Sequence, residues 1–273
     1  MGDTLSTFVN QNISSIRYKM DFQHTRIDKS EYLKALFDGI KVANLELLAL
    51  ADYASLKTTG ETLTDGPRGA KFINRVNKTQ SLARLFESAF LNNPDGNWIE
   101  CGVWRGYSGL IFCEIAKQLN PLFDGTGLYL LDSYEGLSEK GDEDIAATFN
   151  SESNTVTSVV YKNHFNCPID EVAARFQEYD NITLIKGWIP DVLDHVPEKL
   201  WSFVHIDVDL YEPTLSCLEY FYDRLLPGGI MVCDDYITPL FPGAMKAWDS
   251  FCEKREIHFA ILDSGQSLII KDA

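Results

Sequence analysis

The hydrophobic pattern changes character near residue 97. Upstream, "KSEYLKALFDGIKVANLELLALADYASL" and "NKTQSLARLFESAFL" carry apolar residues at helical spacing, with Ser30 placed to cap the first. Between them "TTGETLTDGPRGAKF" is rich in Gly, Thr and charge and reads as a loop, and "NNPDGN" ends the second helix. From Asn97 onward short β-branched and aromatic runs take over: "WIECG", "GLYLLDS", "ITLIKG", "SFVHIDVD", "GIMVCDD", "HFAILD" and "SLIIK". The helical segments "SGLIFCEIAKQL", "IDEVAARFQEY" and "TLSCLEYFYDRL" fall among the first five strands, the last halted by "LPGG". Such alternation predicts a doubly wound, mostly parallel α/β sheet. The last two strands are joined only by "SGQ", so one of the seven must be antiparallel near the C-terminus. The chain divides into an N-terminal helical lid or oligomerisation segment, 1–77, and a Rossmann-like domain, 78–273. A polar insertion, Glu135 to Phe165, separates the second and third strands.

Composition narrows the chemistry. The 273 residues are 45% hydrophobic, ample for one large core, and carry 40 acidic against 24 basic side chains, a net charge of -16. A surface of that sign repels nucleic-acid backbones and anionic membranes and favours a small neutral or cationic ligand. Six cysteines without a CxxC pair, mostly inside apolar runs, read as reduced buried thiols of a cytoplasmic protein. Five histidines show no metal-ligand spacing. No basic-then-apolar leader and no membrane-length apolar run is present; the MG start with Ser6 is a short match to a myristoylation pattern.

Ligands of such sheets bind beyond the carboxyl ends of the strands. The first strand runs into "WIECGVWRGYSG", giving Glu100-x-Gly102-x-x-x-Gly106-x-Ser108. Its glycines allow a close backbone approach, but the spacing is not that of a pyrophosphate loop, and an acid opening the motif suits a ligand with positive charge. Asp132 ends the second strand, where a carboxylate bonds a ribose diol. Together these fit S-adenosylmethionine; taken singly, the glycines are a turn and Asp132 a cap. Trp188, after the third strand, is placed to stack on an adenine or to plug the core.

Four aspartates close the next two strands: Asp207 and Asp209 in "FVHIDVDLYEPT", Asp234 and Asp235 in "GGIMVCDDY". In an extended strand Asp207 and Asp209 share a face. Neighbouring parallel strands would bring all four into one small volume, where uncompensated carboxylates repel. A hard divalent cation resolves that conflict, Mg²⁺ first, with Mn²⁺ or Ca²⁺ as alternatives. Each acid alone reads equally as a strand-end cap. His205 is a further candidate base, or a core histidine bonded to backbone.

"ECGVWRGYSG", "HIDVDLYEPT" and "LLPGGIMVCDDY" resemble the metal- and S-adenosylmethionine-dependent sugar O-methyltransferases typified by macrocin O-methyltransferase and its mycinamicin and novobiocin relatives. The resemblance runs from about Lys78 to Ala247. It implies Asp207, Asp234 and Asp235 as metal ligands and Asp209 as proton acceptor, a part that Asp207 can also fill. It surrounds S-adenosylmethionine with Glu100, Gly102, Gly106, Ser108, Asp132, Ser133 and Trp188. Gln80 stands where relatives tend to carry an acid. The implied acceptor is a hydroxylated small molecule, a glycoside, and the implied assembly a homo-oligomer. Two rivals stay open: a catechol-type O-methyltransferase, for which Tyr134, Phe149, Tyr161 and Phe165 of the insertion supply aromatic contacts, and a catalytically silent S-adenosylmethionine-binding protein.

Overall fold

A computed structural model describes residues 67–145, 162–238 and 241–272. The first predicted helix, most of the 1–77 segment, and Phe149 and Tyr161 of the insertion lie outside the described residues. Seven strands form one sheet in the order β3-β2-β1-β4-β5-β7-β6: β1 Trp98–Cys101, β2 Leu128–Asp132, β3 Thr183–Lys186, β4 Trp201–Ile206, β5 Leu225–Cys233, β6 Ala260–Ile261 and β7 Ser267–Ile270. The first five are parallel, and β7 runs antiparallel to both β5 and β6. The order reverses between β1 and β4, so a crevice opens at their carboxyl ends.

Strand alternation builds two apolar layers. On one face Trp98, Leu130, Phe203 and Val232 pack with Phe86 and Phe112 of helices α1 (Pro67–Asn92) and α2 (Tyr107–Leu119). The Phe86 and Phe112 rings stack at 4.5 Å, and Phe203 meets both edge-on. The opposite face joins Ile99, Val204, Ile206 and Met231 to Leu218 and Trp248 of α4 (Tyr211–Phe221) and α5 (Pro242–Lys254). A short helix, α3 (Ile169–Ala173), precedes β3.

Four details depart from the sequence expectations. Helix α1 begins at Pro67, inside the stretch expected as loop, and runs unbroken through residues 77 and 78. Proline is suited to a first helical turn, where its missing N–H costs nothing. Helix α5 has no counterpart among the helices expected, although Ala244, Ala247, Trp248, Phe251 and Cys252 keep helical spacing and are all buried. Strand β5 starts at Leu225, so "LPGG" belongs to a strand instead of halting a helix. Finally, β4 ends at Ile206, one residue short of Asp207.

Candidate active site

Parallel register places Glu100 of β1 directly beside His205 of β4, and His205 beside Val232 of β5. All three point toward the α1 face, and Asp234, two residues beyond Val232, continues that row. Glu100 Oε1 lies 3.1 Å from His205 Nδ1, and His205 Nε2 lies 3.6 Å from Asp234 Oδ1. Glu100 is 1% exposed and does not line the cavity, so its expected contact with a cofactor is replaced by a buried pair with His205. Burial pushes the Glu100 carboxyl up, against the bonds from His205 and Ser108. Burial alone would lower His205; Asp234 and Glu100 outweigh it and raise the imidazole to about 10. His205 thus faces side-chain acids rather than backbone.

The glycine loop divides its labour. Gly102 adopts φ 87, and a Cβ there would lie 1.9 Å from the Asp207 carbonyl oxygen. Only glycine lets the β1 and β4 ends touch in this way. Gly106, φ 77, starts α2 under the Phe176 ring, 2.9 Å from where a Cβ would be. It is buried and stays out of the cavity; Trp104 and Tyr107, which the motif did not single out, line it instead. Ser108, Asp132, Ser133 and Trp188 line it as expected. Asp132 Oδ2 accepts the Val103 and Trp104 amides at 2.6 and 3.0 Å, and Oδ1 accepts that of Tyr134 at 2.6 Å. Ser133 Oγ also lies 3.4 Å from Oδ1, but its hydroxyl is placed closer to the Gly136 carbonyl, at 2.8 Å, so the fourth acceptor position of the carboxylate is only weakly engaged. Tyr134 itself turns inward, its hydroxyl donating to the Leu130 carbonyl, whereas Phe165 lines the cavity.

The four aspartates do converge. The Asp207 amide makes the last β1–β4 ladder bond, to the Cys101 carbonyl, and Asp207 meets His205 and Asp234 as alternation predicts. Asp209 joins them only because the chain then turns and Asp209 itself takes φ 63. Aspartate tolerates this left-handed conformation better than most residues. One carboxylate oxygen from each of Asp207, Asp209 and Asp235 lies within 4.8 Å of the others, and His205, Asp207 and Asp234 form a second such group. Burial first, then the charges of Asp234 and Asp235, push Asp207 well up; burial, Asp235 and Asp207 do the same to Asp209.

Lys78 of α1 answers part of this charge. Its Nζ donates to Asp234 Oδ2 at 2.7 Å and to Asp235 Oδ1 at 3.1 Å. Burial works against the ammonium, yet Asp234, Asp235 and Asp207 outweigh it and hold it charged above the ordinary lysine range. Reciprocally, Lys78 and His205 overcome burial and draw Asp234 below the usual carboxylate range. Gln266 Nε2 completes the Asp234 surroundings at 2.7 Å, itself held by Ser264. Neither residue carries a motif. Lys78 lies within the second predicted helix, and Gln266 within the tight turn expected between the last two strands.

One cavity of about 540 Å³ is lined by Gly102, Asp132 and Trp188 together with Lys78, Asp207, Asp209, Asp234 and Asp235. Leu137, Phe165 and Phe241 form an apolar wall between insertion and helix α5. Among the described residues no helix is long and apolar enough to cross a membrane.

Comparison with known proteins agrees with this arrangement. The family model for macrocin-O-methyltransferase (TylF) matches residues 3–265. The 8-demethyl-8-(2,3-dimethoxy-alpha-L-rhamnosyl)-tetracenomycin-C 4'-O-methyltransferase of Streptomyces olivaceus is 28% identical over 179 residues, 63% of this chain and 65% of its own length. The mycinamicin III 3''-O-methyltransferase of Micromonospora griseorubida is 27% identical over 212 residues, 74% of this chain and 78% of that one. Among solved structures, the O-methyltransferase NovP superposes with a TM-score of 0.59 at 22% identity, covering 72% of this chain and 81% of that one. CalS11, a calicheamicin methyltransferase, gives 0.58 at 19% identity, with coverages of 91% and 95%. These two likenesses establish the shared fold. The match across nearly all of its length makes this chain a member of the macrocin O-methyltransferase family, a family of S-adenosylmethionine-dependent O-methyltransferases.

Proposed function

We propose that this protein transfers the methyl group of S-adenosylmethionine to a hydroxyl of a glycosylated small molecule, with a divalent cation, Mg²⁺ first, in the aspartate cluster. The observation that carries the proposal is the single cavity joining the Gly102–Asp132 end to the four aspartates. Its two ends differ in chemistry as the two substrates do. Asp132, whose fourth acceptor position is met only by Ser133 Oγ at 3.4 Å, would take a ribose hydroxyl, Gly102 leaves room for backbone contact, and Trp188 offers an aromatic face. Ser108 and Ser133 add small polar groups at the same end. A sulfonium next to this acidic chain is favoured electrostatically.

The donor set at the far end fits a hard cation: Asp207, Asp209 and Asp235 bring carboxylate oxygens within 4.8 Å of one another, and Asp234, grouped with Asp207 and His205, adjoins them. Asp207, Asp234 and Asp235 would hold it, and when bound it would lower the proton affinity of the cluster and polarise an acceptor hydroxyl. That fit bears on Asp209. A base must begin ionised, whereas burial and its neighbours favour the protonated form of Asp209. Added positive charge in the cluster would favour its carboxylate form. Asp209 stands on the cavity wall, where it would receive the hydroxyl proton.

The acceptor belongs to the same proposal. The related enzyme from Streptomyces olivaceus is named for a rhamnosyl tetracenomycin and that from Micromonospora griseorubida for mycinamicin III, and the Leu137–Phe165–Phe241 wall offers an apolar surface for an aglycone. The test incubates the full-length chain with S-adenosylmethionine and a panel of glycosides, in EDTA and with Mg²⁺, and reads methylated products by mass spectrometry. Mg²⁺-dependent methylation of a sugar hydroxyl is expected. Undiminished turnover in EDTA would remove the cation, and preference for a simple catechol would replace the glycoside by an aromatic diol.

A further inference from the structure

The cation already present in the aspartate cluster is a lysine. Lys78 Nζ spans Asp234 and Asp235 at 2.7 and 3.1 Å, and its side chain is only 19% exposed. It stands on α1, the helix that packs against β4 and β5 and contributes Thr79 and Leu82 to the same cavity wall. Next to it His205 Nε2 is fully buried with no hydrogen-bond partner, aimed at Asp234 from 3.6 Å. The cluster therefore has Lys78 and His205 on one side and the close Asp207–Asp209–Asp235 trio on the other.

A divalent ion drawing on Asp234 and Asp235 meets the Lys78 ammonium at its own ligands. Two like charges at such separations repel strongly at the effective dielectric of a protein surface. Either the ammonium leaves those oxygens or the ion binds weakly. We propose that Lys78 is a built-in competitor of the divalent cation: it holds the aspartate cluster together without metal, lowers the cluster's affinity for metal, and is released from Asp234 and Asp235 when metal binds. Because Lys78 belongs to α1, metal loading then changes how that helix is tied to the sheet at the cavity wall. The inference rests on the cation assigned above and goes beyond it, since a lysine that merely braced the acids would leave metal affinity unchanged or, when removed, weaken it.

The experiment titrates Mn²⁺ into the full-length wild type, Lys78→Met and Lys78→Arg, following free ion by electron paramagnetic resonance. Lys78→Met keeps the aliphatic stem and removes the charge, and its Mn²⁺ affinity should rise roughly tenfold or more, the Coulomb gain being offset by repulsion among the unpaired acids. Lys78→Arg should stay within about threefold of wild type, since the charge is retained. A companion measurement needs no variant. Acetic anhydride labelling of the wild type, read by peptide mass spectrometry against exposed Lys254, should show Lys78 modified several-fold faster with Mn²⁺ than with EDTA. Unchanged or weakened affinity in Lys78→Met, or Lys78 labelling indifferent to bound Mn²⁺, overturns the competitor role while leaving the metal in place. No Mn²⁺ binding by wild type and by Lys78→Met overturns both.

Discussion

Asp132 and Asp209 are both carboxylates at strand ends, and both open on the same cavity, yet their surroundings differ in kind. Asp132 is met by three backbone N–H groups at 2.6 to 3.0 Å, so its charge is answered by the loop it organises. Asp209 is met by Asp207 and Asp235, and burial adds to the conflict. The β1–β2 end of the edge is complete by itself; the β4–β5 end is short of positive charge. Peptide amides can satisfy a carboxylate at no cost in net charge, whereas a cluster of carboxylates needs a counter-ion brought by a side chain or by solution. The difference assigns the two ends to different ligands. A preformed, satisfied end suits an organic cofactor, and a charge-deficient end suits a cation and the hydroxyl it activates.

The sharpest separation of the two ends is kinetic. Asp209→Asn keeps the shape of the side chain and removes its basicity, and turnover should fall by about 10²–10⁴. Binding of S-adenosylhomocysteine, measured by calorimetry, should stay within a few-fold, because Asp132 and Gly102 are untouched. Equal losses of turnover and cofactor affinity would merge the two ends into one.

Much of this division is legible in the sequence, and the failures have physical causes. Strand ends and the order of the elements follow from period-two apolar runs, so Asp132, Asp207, Asp234 and Asp235 land at the right edge. Alternation holds as far as Asp207, which meets His205 and Asp234; Asp209 reaches the other acids through the left-handed turn at its own residue, which periodicity does not encode. Glu100 shows the reverse error. Its motif position points to a ligand, but register with β4 sets it beside His205, and cross-strand register is a tertiary fact. Lys78 is distant by 156 residues from Asp234, a separation at which a helix lysine gives no local signal. Helix α5 was readable from Ala244, Ala247, Trp248, Phe251 and Cys252, whose spacing alone marks a buried face.

The second prediction concerns the seam beneath both ends. Glu100→Gln removes the acid partner of a fully buried His205 without changing side-chain volume. Breaking a buried pair from one side costs about 3–5 kcal/mol, and urea unfolding should show a loss of that order. Replacing His205 by Gln in the same chain should recover part of it, since no unpaired charge remains. If Glu100→Gln is as stable as wild type, the pair is neutral and Asp234 draws its cationic support from Lys78 alone.

Gly102→Ala tests whether the ends are mechanically joined. The new methyl would fall 1.9 Å from the Asp207 carbonyl, and the backbone there has φ 87, which a side chain resists. Relief requires the β1 loop to move off the β4 end, at a cost of about 1–3 kcal/mol. A glycine belonging to the cofactor end should therefore also weaken Mn²⁺ binding at the other. A lower melting temperature with unaltered Mn²⁺ affinity would show two independent sites that only share a cavity.

The smallest effect, and the one that most directly reads the charge deficit, is the dependence of stability on pH. Asp207 and Asp209 have carboxyls raised by folding, so the native state binds their protons more tightly than the unfolded chain does. Their contribution is full below the ordinary carboxylate range and is lost as pH climbs through the raised values. His205, raised to about 10, has the same sign: its contribution is present below the unfolded histidine value and lost as pH passes about 10. Asp234 is lowered and works in the other direction, losing its contribution only in stronger acid. In EDTA, urea-derived stability should accordingly decline from about pH 5 to about pH 9, by no more than about 1.4 kcal/mol per pH unit for each proton released. Saturating Mg²⁺ should flatten the decline, because the aspartates are then already ionised in the native state. A stability that rises with pH in EDTA over this window would mean that Lys78 and His205 together meet the whole charge of the cluster, and that the β4–β5 end is as self-sufficient as the β1–β2 end.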